Sequence, residues 1–472
     1  MIQIHADNSE YIENRTFDEI TVGDSAILVR TLRQEDIQMY AIMSGDINPS
    51  HVDPEYAHSS MLREVIAHGM WGGALISNVL GTRFPGPGTV YVDQSLHFAL
   101  PVRVGDTLTV VITCEKKFPR NHHIIFDCVC SNQDGQKVIS GTAEVLAPTE
   151  KIKRLKASLP DFKLSESRKV RFEHLLEITK GLSPISMAVA HPCDTESLKG
   201  ALLARDRGLI VPTLVGPEDK IRQIAEANQL DLYGCTLINV AHSHAAAEVA
   251  VSLAREGQVE ALMKGSLHTD ELMGEVIDKA TGLRTARRIS HVFLMDVPTY
   301  PRLLFITDAA VNVAPNLEDK VDIVQNAIDL ARMLKIADPK VAILAAVETV
   351  NPKMQATLDA AALCKMADRG QITGGLLDGP LAFDNAISVV AARTKGIKSA
   401  VAGQADILLV PDIESGNMLA KQLEYLADAL TSGIVLGARV PIVLTSRADS
   451  AETRTASTAV AMVMAHAKRK KL

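Results

Sequence analysis

The sequence is short of several things, and each shortage excludes something. Its six cysteines, at 114, 128, 130, 193, 235 and 364 of 472 residues, include no Cys-x-x-Cys pair. A structural zinc is therefore not expected, and the thiols read as reduced ones in a cytoplasm. Positive charge is in deficit. A net charge of -7 removes the polyphosphate attraction that supplies most nonspecific affinity, so no nucleic-acid partner is expected, although local basic runs can still bind small phosphates. No uninterrupted apolar run is long enough for a bilayer, and Met-Ile-Gln-Ile-His-Ala-Asp at the N-terminus has no basic region leading into an apolar core. Neither membrane insertion nor export is expected. The spacings of a P-loop and of Gly-x-Gly-x-x-Gly are both missing, which removes support for nucleotide hydrolysis and dinucleotide binding.

What is present is ordinary globular composition, 47% apolar and 22% charged, with enough apolar content for sizeable cores. The length suggests about two to four domains. In the first domain, residues 1–150, the stretches 17–32 and 86–146 are dominated by β-branched runs: Ser25 to Arg30, Thr89 to Val92, Thr107 to Thr113, His123 to Val129 and Lys137 to Val145. Gly-Asp and Asp-Gly turns separate them, as an antiparallel meander requires, so the first domain reads as α+β. Cys128 and Cys130 fall on one face of a strand as small core residues. From Ala147 the texture changes to charge without apolar periodicity, and 151–169 reads as a linker. Its run Lys151-Ile-Lys-Arg-Leu-Lys reads as a solvated face or as a contact to a bound phosphate.

Beyond the linker, 170–472 alternates strand and helix, the sign of a parallel sheet covered on both faces. Strands are expected at Ile185 to Ala190, Val211 to Val215, Val259 to Met263, Val341 to Ala346, Ile407 to Val410 and Pro441 to Leu444. Amphipathic helices are expected at Ala245 to Glu256, Asp319 to Lys335 and Gln355 to Asp368. An antiparallel pair, His291 to Asp296 and Arg302 to Asp308, interrupts the pattern and suggests two lobes with a cleft.

Two regions carry candidate chemistry. Gly45-Asp-Ile-Asn-Pro-Ser-His-Val-Asp-Pro-Glu-Tyr56 holds a carboxylate and an imidazole with Pro49 between them. Prolines 49 and 54 bias Asn48 and Asp53 away from helical angles, so an ordered, irregular loop is expected to aim Asp46 and His51 at one point. Such a pair can take a proton from water and return one to a substrate. The alternative is a turn in which Asp46 caps a helix and His51 is an ordinary surface residue. Ile66-Ala-His-Gly-Met70 then opens an apolar, small-residue stretch to Leu80, read as a buried helix. Gly69 lies in its first turn, where backbone N–H groups are free to meet an anionic oxygen.

In the second region three stretches follow expected strands, where ligands collect in open α/β sheets. Lys264-Gly-Ser-Leu-His-Thr-Asp270 offers backbone donors beside a cation. Thr445-Ser-Arg-Ala-Asp-Ser-Ala-Glu452 precedes a helix from Ala451 and places a guanidinium at its start, which suits phosphate. Asp378-Gly-Pro-Leu-Ala-Phe-Asp-Asn-Ala386 puts Asp384 at a helix start, where it is a ligand contact or a plain N-cap.

The first region, with Gln94-Ser-Leu-His-Phe-Ala-Leu-Pro-Val-Arg-Val-Gly-Asp106, resembles the MaoC-like (R)-specific enoyl-CoA hydratases. The resemblance implies a hot-dog fold, a curved antiparallel sheet around the helix. It also implies Asp46 and His51 as the catalytic pair, the Gly69 amide polarising a thioester carbonyl, and Ser77 supporting the site. The span from about 170 to the C-terminus resembles the phosphate acetyl/butyryltransferases. The resemblance lies in the three stretches above and in Arg288 to Val292, Thr307 to Asn312 and Val401 to Leu408. It implies two lobes, about 170–285 with 433–472 and 286–432. Arg447 would hold phosphate, Ser446 would hydrogen-bond the acyl group, and Lys264, Gly265, His268, Thr269, Arg284, Arg287 and Asp384 would line the substrates. Acyl-CoA thioesters and inorganic phosphate would be the substrates, with no tightly bound cofactor and no metal, in a homodimer or higher even oligomer. Two positions depart from the pattern. Acetyl-specific relatives carry an aspartate, proposed as base for the coenzyme A thiol, where Thr453 stands, leaving Asp449 or Glu452 as substitutes or a thiol that needs no dedicated base. An arginine of those relatives falls near Glu275, with Arg284, Arg287 and Arg288 as alternatives. Other readings are a hot-dog thioesterase or coenzyme A binding module, and a catalytically silent, regulatory transferase half. A metal-dependent hydroxyacid dehydrogenase needs clustered aspartates that the sequence lacks.

Overall fold

The structure, a computed structural model, describes residues 10–158, 172–173, 176–445 and 449–470. The chain divides into two compact units, Met1–Leu164 and Ser165–Leu472.

In unit 1 the strands are β1 (Tyr11–Glu13), β2 (Ser25–Thr31), β3 (Val90–Phe98), β4 (Thr107–Phe118), β5 (His123–Ser131), β6 (Lys137–Leu146) and β7 (Lys153–Leu155). The helices are α1 (Gln34–Ser44), α2 (Pro49–Val52), α3 (Pro54–Ser59) and α4 (Gly69–Thr82). Strands β2-β4-β5-β6-β3 form one antiparallel sheet in that order. Alternation along β4 and β5 buries Leu108, Val110, Ile112, Ile124, Phe126, Cys128 and Cys130 against Trp71, Ile76, Val79 and Leu80 of α4. Burial pushes the Cys128 and Cys130 thiols up to about 12, as expected for core residues rather than reactive ones. Glycine lets the helix lie close to the sheet, because a Cβ on Gly72 would come within 2.2 Å of Ile139. This is the hot-dog arrangement.

The span expected to be a linker begins differently. Lys153–Leu155 pair with β1, and Lys151 forms ion pairs with Glu13 and Glu19; residues 159–169 lie outside the described residues. Its basic run is thus partly neutralised on the surface of unit 1, where such pairs contribute at most about 1 kcal/mol.

Unit 2 is built on one eleven-stranded sheet. Its strands are β8 (Ile185–Ala190), β9 (Ile210–Gly216), β10 (Thr236–Asn239), β11 (Ala261–Lys264), β12 (Ser290–Asp296), β13 (Leu304–Thr307), β14 (Lys340–Leu344), β15 (Leu376–Leu381), β16 (Ile407–Leu409), β17 (Leu430–Leu436) and β18 (Ile442–Val443). The order is β10-β9-β8-β11-β18-β17-β12-β13-β16-β14-β15. Two parallel halves, β10 to β18 and β13 to β15, are joined by antiparallel β17 and β12. The expected antiparallel pair is β12 with β13. The covering helices are α5 (Thr195–Asp206), α6 (Glu218–Ala227), α7 (Ser243–Arg255), α8 (Thr269–Ile277), α9 (Leu317–Met333), α10 (Gln355–Asp368), α11 (Phe383–Ile387), α12 (Val389–Thr394), α13 (Ile413–Leu426) and α14 (Ala451–Arg469). The last strand and helix return to the first half: β18 pairs with β11, and α14 packs on α5. No helix among the described residues is long and apolar enough to cross a membrane.

Candidate active sites

In unit 1, Gly45 ends α1 in the left-handed conformation, φ 74°, which glycine adopts without steric cost. The chain then turns at Asp46 into α2 and α3. Gly45 to Tyr56 is therefore not the irregular loop expected from its prolines. Pro49 and Pro54 each sit at the first helical position, where the missing N–H costs nothing and the fixed φ suits the helix. Asn48 and Asp53 keep non-helical angles, as expected, and act as N-caps: Asn48 accepts from the Ser50 N–H at 3.0 Å, and Asp53 from Glu55 and Tyr56 at 3.0 Å.

This geometry brings three groups together. The carboxylate of Asp46 and one ring nitrogen each of His51 and His68 lie within 4.8 Å of one another. A separation below about 5.6 Å lets one water hydrogen-bond to two such groups at about 2.8 Å each. His51 Nδ1 lies 2.8 Å from the Ile66 carbonyl oxygen; this nitrogen therefore carries a hydrogen, and in the neutral tautomer Nε2 is the acceptor. His68, the N-cap of α4, donates from Nε2 to the Asp46 carbonyl at 2.9 Å and stacks on His51 with centroids 4.0 Å apart. Sequence reasoning had His68 in its motif but gave it no role. The three groups could also ligate a divalent cation.

Gly69 is the first residue of α4, where helical geometry leaves its N–H without an intrahelical partner. A Cβ there would press on the Phe98 ring at 3.3 Å. Ser77 is exposed two turns further along, and among the described residues no hydrogen bond joins it to Asp46 or His51.

In unit 2 the Lys264 loop departs from expectation. The Gly265 and Ser266 N–H groups are not open to an anion: they donate to the Ala190 and His191 carbonyls, each at 2.9 Å. Lys264 is buried, and its ammonium donates to the Leu267 carbonyl at 3.1 Å. Close packing of β11 beside β8 is the cause, since a Cβ on Gly265 would lie 2.4 Å from the His191 carbonyl oxygen. His191 Nδ1 pairs with Ser266 Oγ at 2.9 Å. This pair lies where the strand order reverses, with β9 on one side of β8 and β11 on the other. Burial lowers the His191 pKa. The helix start of this stretch is that of α8, where His268 is the N-cap and Thr269 the first residue, both exposed.

A cavity of about 780 Å³ opens beside Thr269 and is lined by His291, Phe293, Met418, Lys421 and Thr445 among others. Thr445 follows β18, and α14 begins at Ala451 with Ser450 as its N-cap; Ser446 and Arg447 lie outside the described residues. Arg454, fully buried in α14, donates to the Thr445 hydroxyl at 2.7 Å and to the Lys264 carbonyl at 3.2 Å. It thereby ties together the ends of β11 and β18. The buried Thr453 hydroxyl lies 3.4 Å from Ser450 Oγ.

Three expected contacts are not brought here. Arg284 pairs with Ala438 in the turn before β18, at the strand end away from Thr445. Arg287 is drawn to Asp329 of α9 at 3.0 Å, and Arg288 to Asp319 at 2.7 Å. Asp378 to Pro380 lie inside β15 rather than beyond a strand; β15 is an edge strand, where proline is tolerated. Asp384 follows in the first turn of α11, whose N-cap is Ala382, and its ion-pair partner is Lys395 at 3.7 Å. His291, Phe293 and the α13 residues were missed as site residues. The visible signal was an imidazole inside an otherwise apolar strand.

Residues 243–462 match the family described as phosphate acetyl/butaryl transferase, and residues 20–125 the family described as MaoC like domain. A phosphate acetyltransferase of Rhizobium meliloti is 61% identical over 299 residues, 63% of this chain and 95% of that protein. The crystal structure of a branched-chain phosphotransacylase from Enterococcus faecalis is similar at 31% identity and TM-score 0.54, covering 60% of this chain and 99% of that one. An R-hydratase from Pseudomonas aeruginosa is 39% identical, covering 33% of this chain and 99% of that one at TM-score 0.32. The chain therefore belongs to the phosphate acetyl/butyryl transferase family and carries a MaoC-like domain ahead of the transferase part.

Proposed function

We propose that the chain is a bifunctional coenzyme A thioester enzyme. Unit 1 hydrates trans-2-enoyl-CoA to (R)-3-hydroxyacyl-CoA, and unit 2 exchanges an acyl group between coenzyme A and phosphate. The observation that carries the first activity is the convergence of Asp46 and His51 within 4.8 Å, with the N–H of Gly69 at the start of α4. The pair takes a proton from water as its oxygen adds to C3, and a proton is returned to C2. The developing charge on the thioester oxygen is met by the helix N-terminus. For the second activity the support is family membership together with the cavity beside Thr445. By the resemblance to the family Arg447 clamps phosphate and Ser446 holds the acyl group, and neither a metal nor a bound cofactor takes part.

The test is direct. The purified full chain is assayed for hydration of crotonyl-CoA, and separately for phosphate-dependent release of coenzyme A from acetyl-CoA and butyryl-CoA. Both activities are expected, and absence of either removes that half of the proposal.

Assembly is part of the same reading. Strand β3 is an edge of its sheet and exposes Val90, Tyr91, Val92 and Phe98. An open apolar edge invites pairing with a second copy. A homodimer or higher even oligomer is expected by light scattering at micromolar concentration, and an active monomer would contradict it.

A further inference from the structure

His291 lies on β12 and is fully buried, and neither ring nitrogen makes a well-formed hydrogen bond among the described residues, the backbone of Leu444 being its one polar neighbour in reach. Buried polar atoms are rarely left so. The ring forms part of the wall of the 780 Å³ cavity, beside Phe293, Leu444 and Thr445. Phe293 meets it edge-on, with centroids 4.4 Å apart. On the neighbouring strand a glycine keeps the space open, since a Cβ on Gly433 would lie 3.1 Å from His291 Nε2. The backbone here is fixed, because the His291 N–H donates to Asp308 at 3.1 Å. Burial pushes the His291 pKa below the ordinary histidine value, with the Asp308 carboxylate and the Leu444 backbone opposing. The ring is therefore neutral near pH 7, with one N–H donor and one bare nitrogen.

We propose that His291 is a catalytic residue of the acyl exchange, its neutral imidazole N–H holding the acyl carbonyl oxygen in this cavity. This rests on the transferase reading of unit 2. In the step, the coenzyme A sulfur bonds to the carbonyl carbon and the carbonyl π pair moves onto oxygen, where the N–H stabilises it. Collapse breaks the carbon–oxygen bond to phosphate. Phosphate leaves with that electron pair, and the thiol proton ends on it as hydrogen phosphate. A donor kept neutral by burial suits this role better than a cation, because it needs no proton transfer and pays no reorganisation at the moment of reaction.

The experiment compares His291→Leu and His291→Gln with the parent, as full chains, using butyryl phosphate and coenzyme A. His291→Leu is expected to lower kcat about 10²- to 10³-fold, the usual loss for one oxyanion donor. Its melting temperature should be unchanged or higher, because an apolar group replaces polar atoms that make no well-formed hydrogen bond. His291→Gln keeps a donor and should recover at least about tenfold of that loss, with the pH profile of the parent. Near-parental kcat in His291→Leu, no recovery in His291→Gln, or loss of a pH limb in the variants would each overturn the proposal. A parent chain without acyl exchange would instead sink the transferase reading on which it rests.

Discussion

The two sites are built in opposite ways. In unit 1 Asp46, His51, His68 and the Gly69 N–H all lie between Gly45 and Gly69, held by two short proline-started helices and the start of α4. In unit 2 the cavity takes Thr269 from α8, His291 from β12, Lys421 from α13 and Thr445 from the end of β18. Those residues meet only because the sheet order places β18 next to β11 and β17 next to β12. A local site is specified by caps and turns that act within a few residues. A distributed site depends on strand order and is sensitive to packing far from the chemistry.

That contrast can be broken by substitutions that should act on one unit alone. His51→Ala is expected to lower enoyl-CoA hydration about 10²- to 10⁴-fold, the typical loss for a general acid/base, and to leave acyl exchange at the parental rate in the same preparation. Arg447→Lys keeps the charge but not the two-pronged fork for phosphate. It should cost acyl exchange about 30- to 1000-fold, by analogy with other charged transition-state contacts, and leave hydration untouched; a change within about twofold would move the phosphate site elsewhere.

The smallest expected effect is on stability. His291 has a lowered pKa in the folded chain, so between its folded value and about 6.5 the unfolded chain binds more protons. Its contribution is complete above about pH 6.5 and is lost as pH falls through that window. Melting curves from pH 7.5 down to 5 should show His291→Leu gaining on the parent as the pH drops. A constant gap would contradict a neutral buried ring.

Legibility followed the same division. Strand β8 and helix α10 have the bounds that periodicity suggests, because their apolar faces are long and regular. The start of α4 and the placement of Asp46 and His51 were also readable, since each depends on near neighbours. The shape of residues 45–56 was misread because proline breaks a helix in its middle but starts one at its first position. Strand β17 was not visible in Leu-Thr-Ser-Gly-Ile-Val-Leu: it is buried along its whole length and has no alternation to reveal it. The Lys264 loop was misjudged because its N–H groups are taken by Ala190 and His191, more than seventy residues earlier. Nothing near Lys264 in the sequence announces those carbonyls. His291 was readable as a strand residue, but its poorly bonded ring depends on Gly433 and on the course of β18.

The central claim is that one chain holds two independent acyl-thioester sites, and Asp46→Asn tests it most directly. Hydration of crotonyl-CoA and phosphate-dependent coenzyme A release from butyryl-CoA are measured on the same purified variant and on the parent. The account predicts hydration reduced at least about 10²-fold with acyl exchange unchanged. Hydration within about twofold of the parent, or equal loss of both activities in a folded variant, would contradict it.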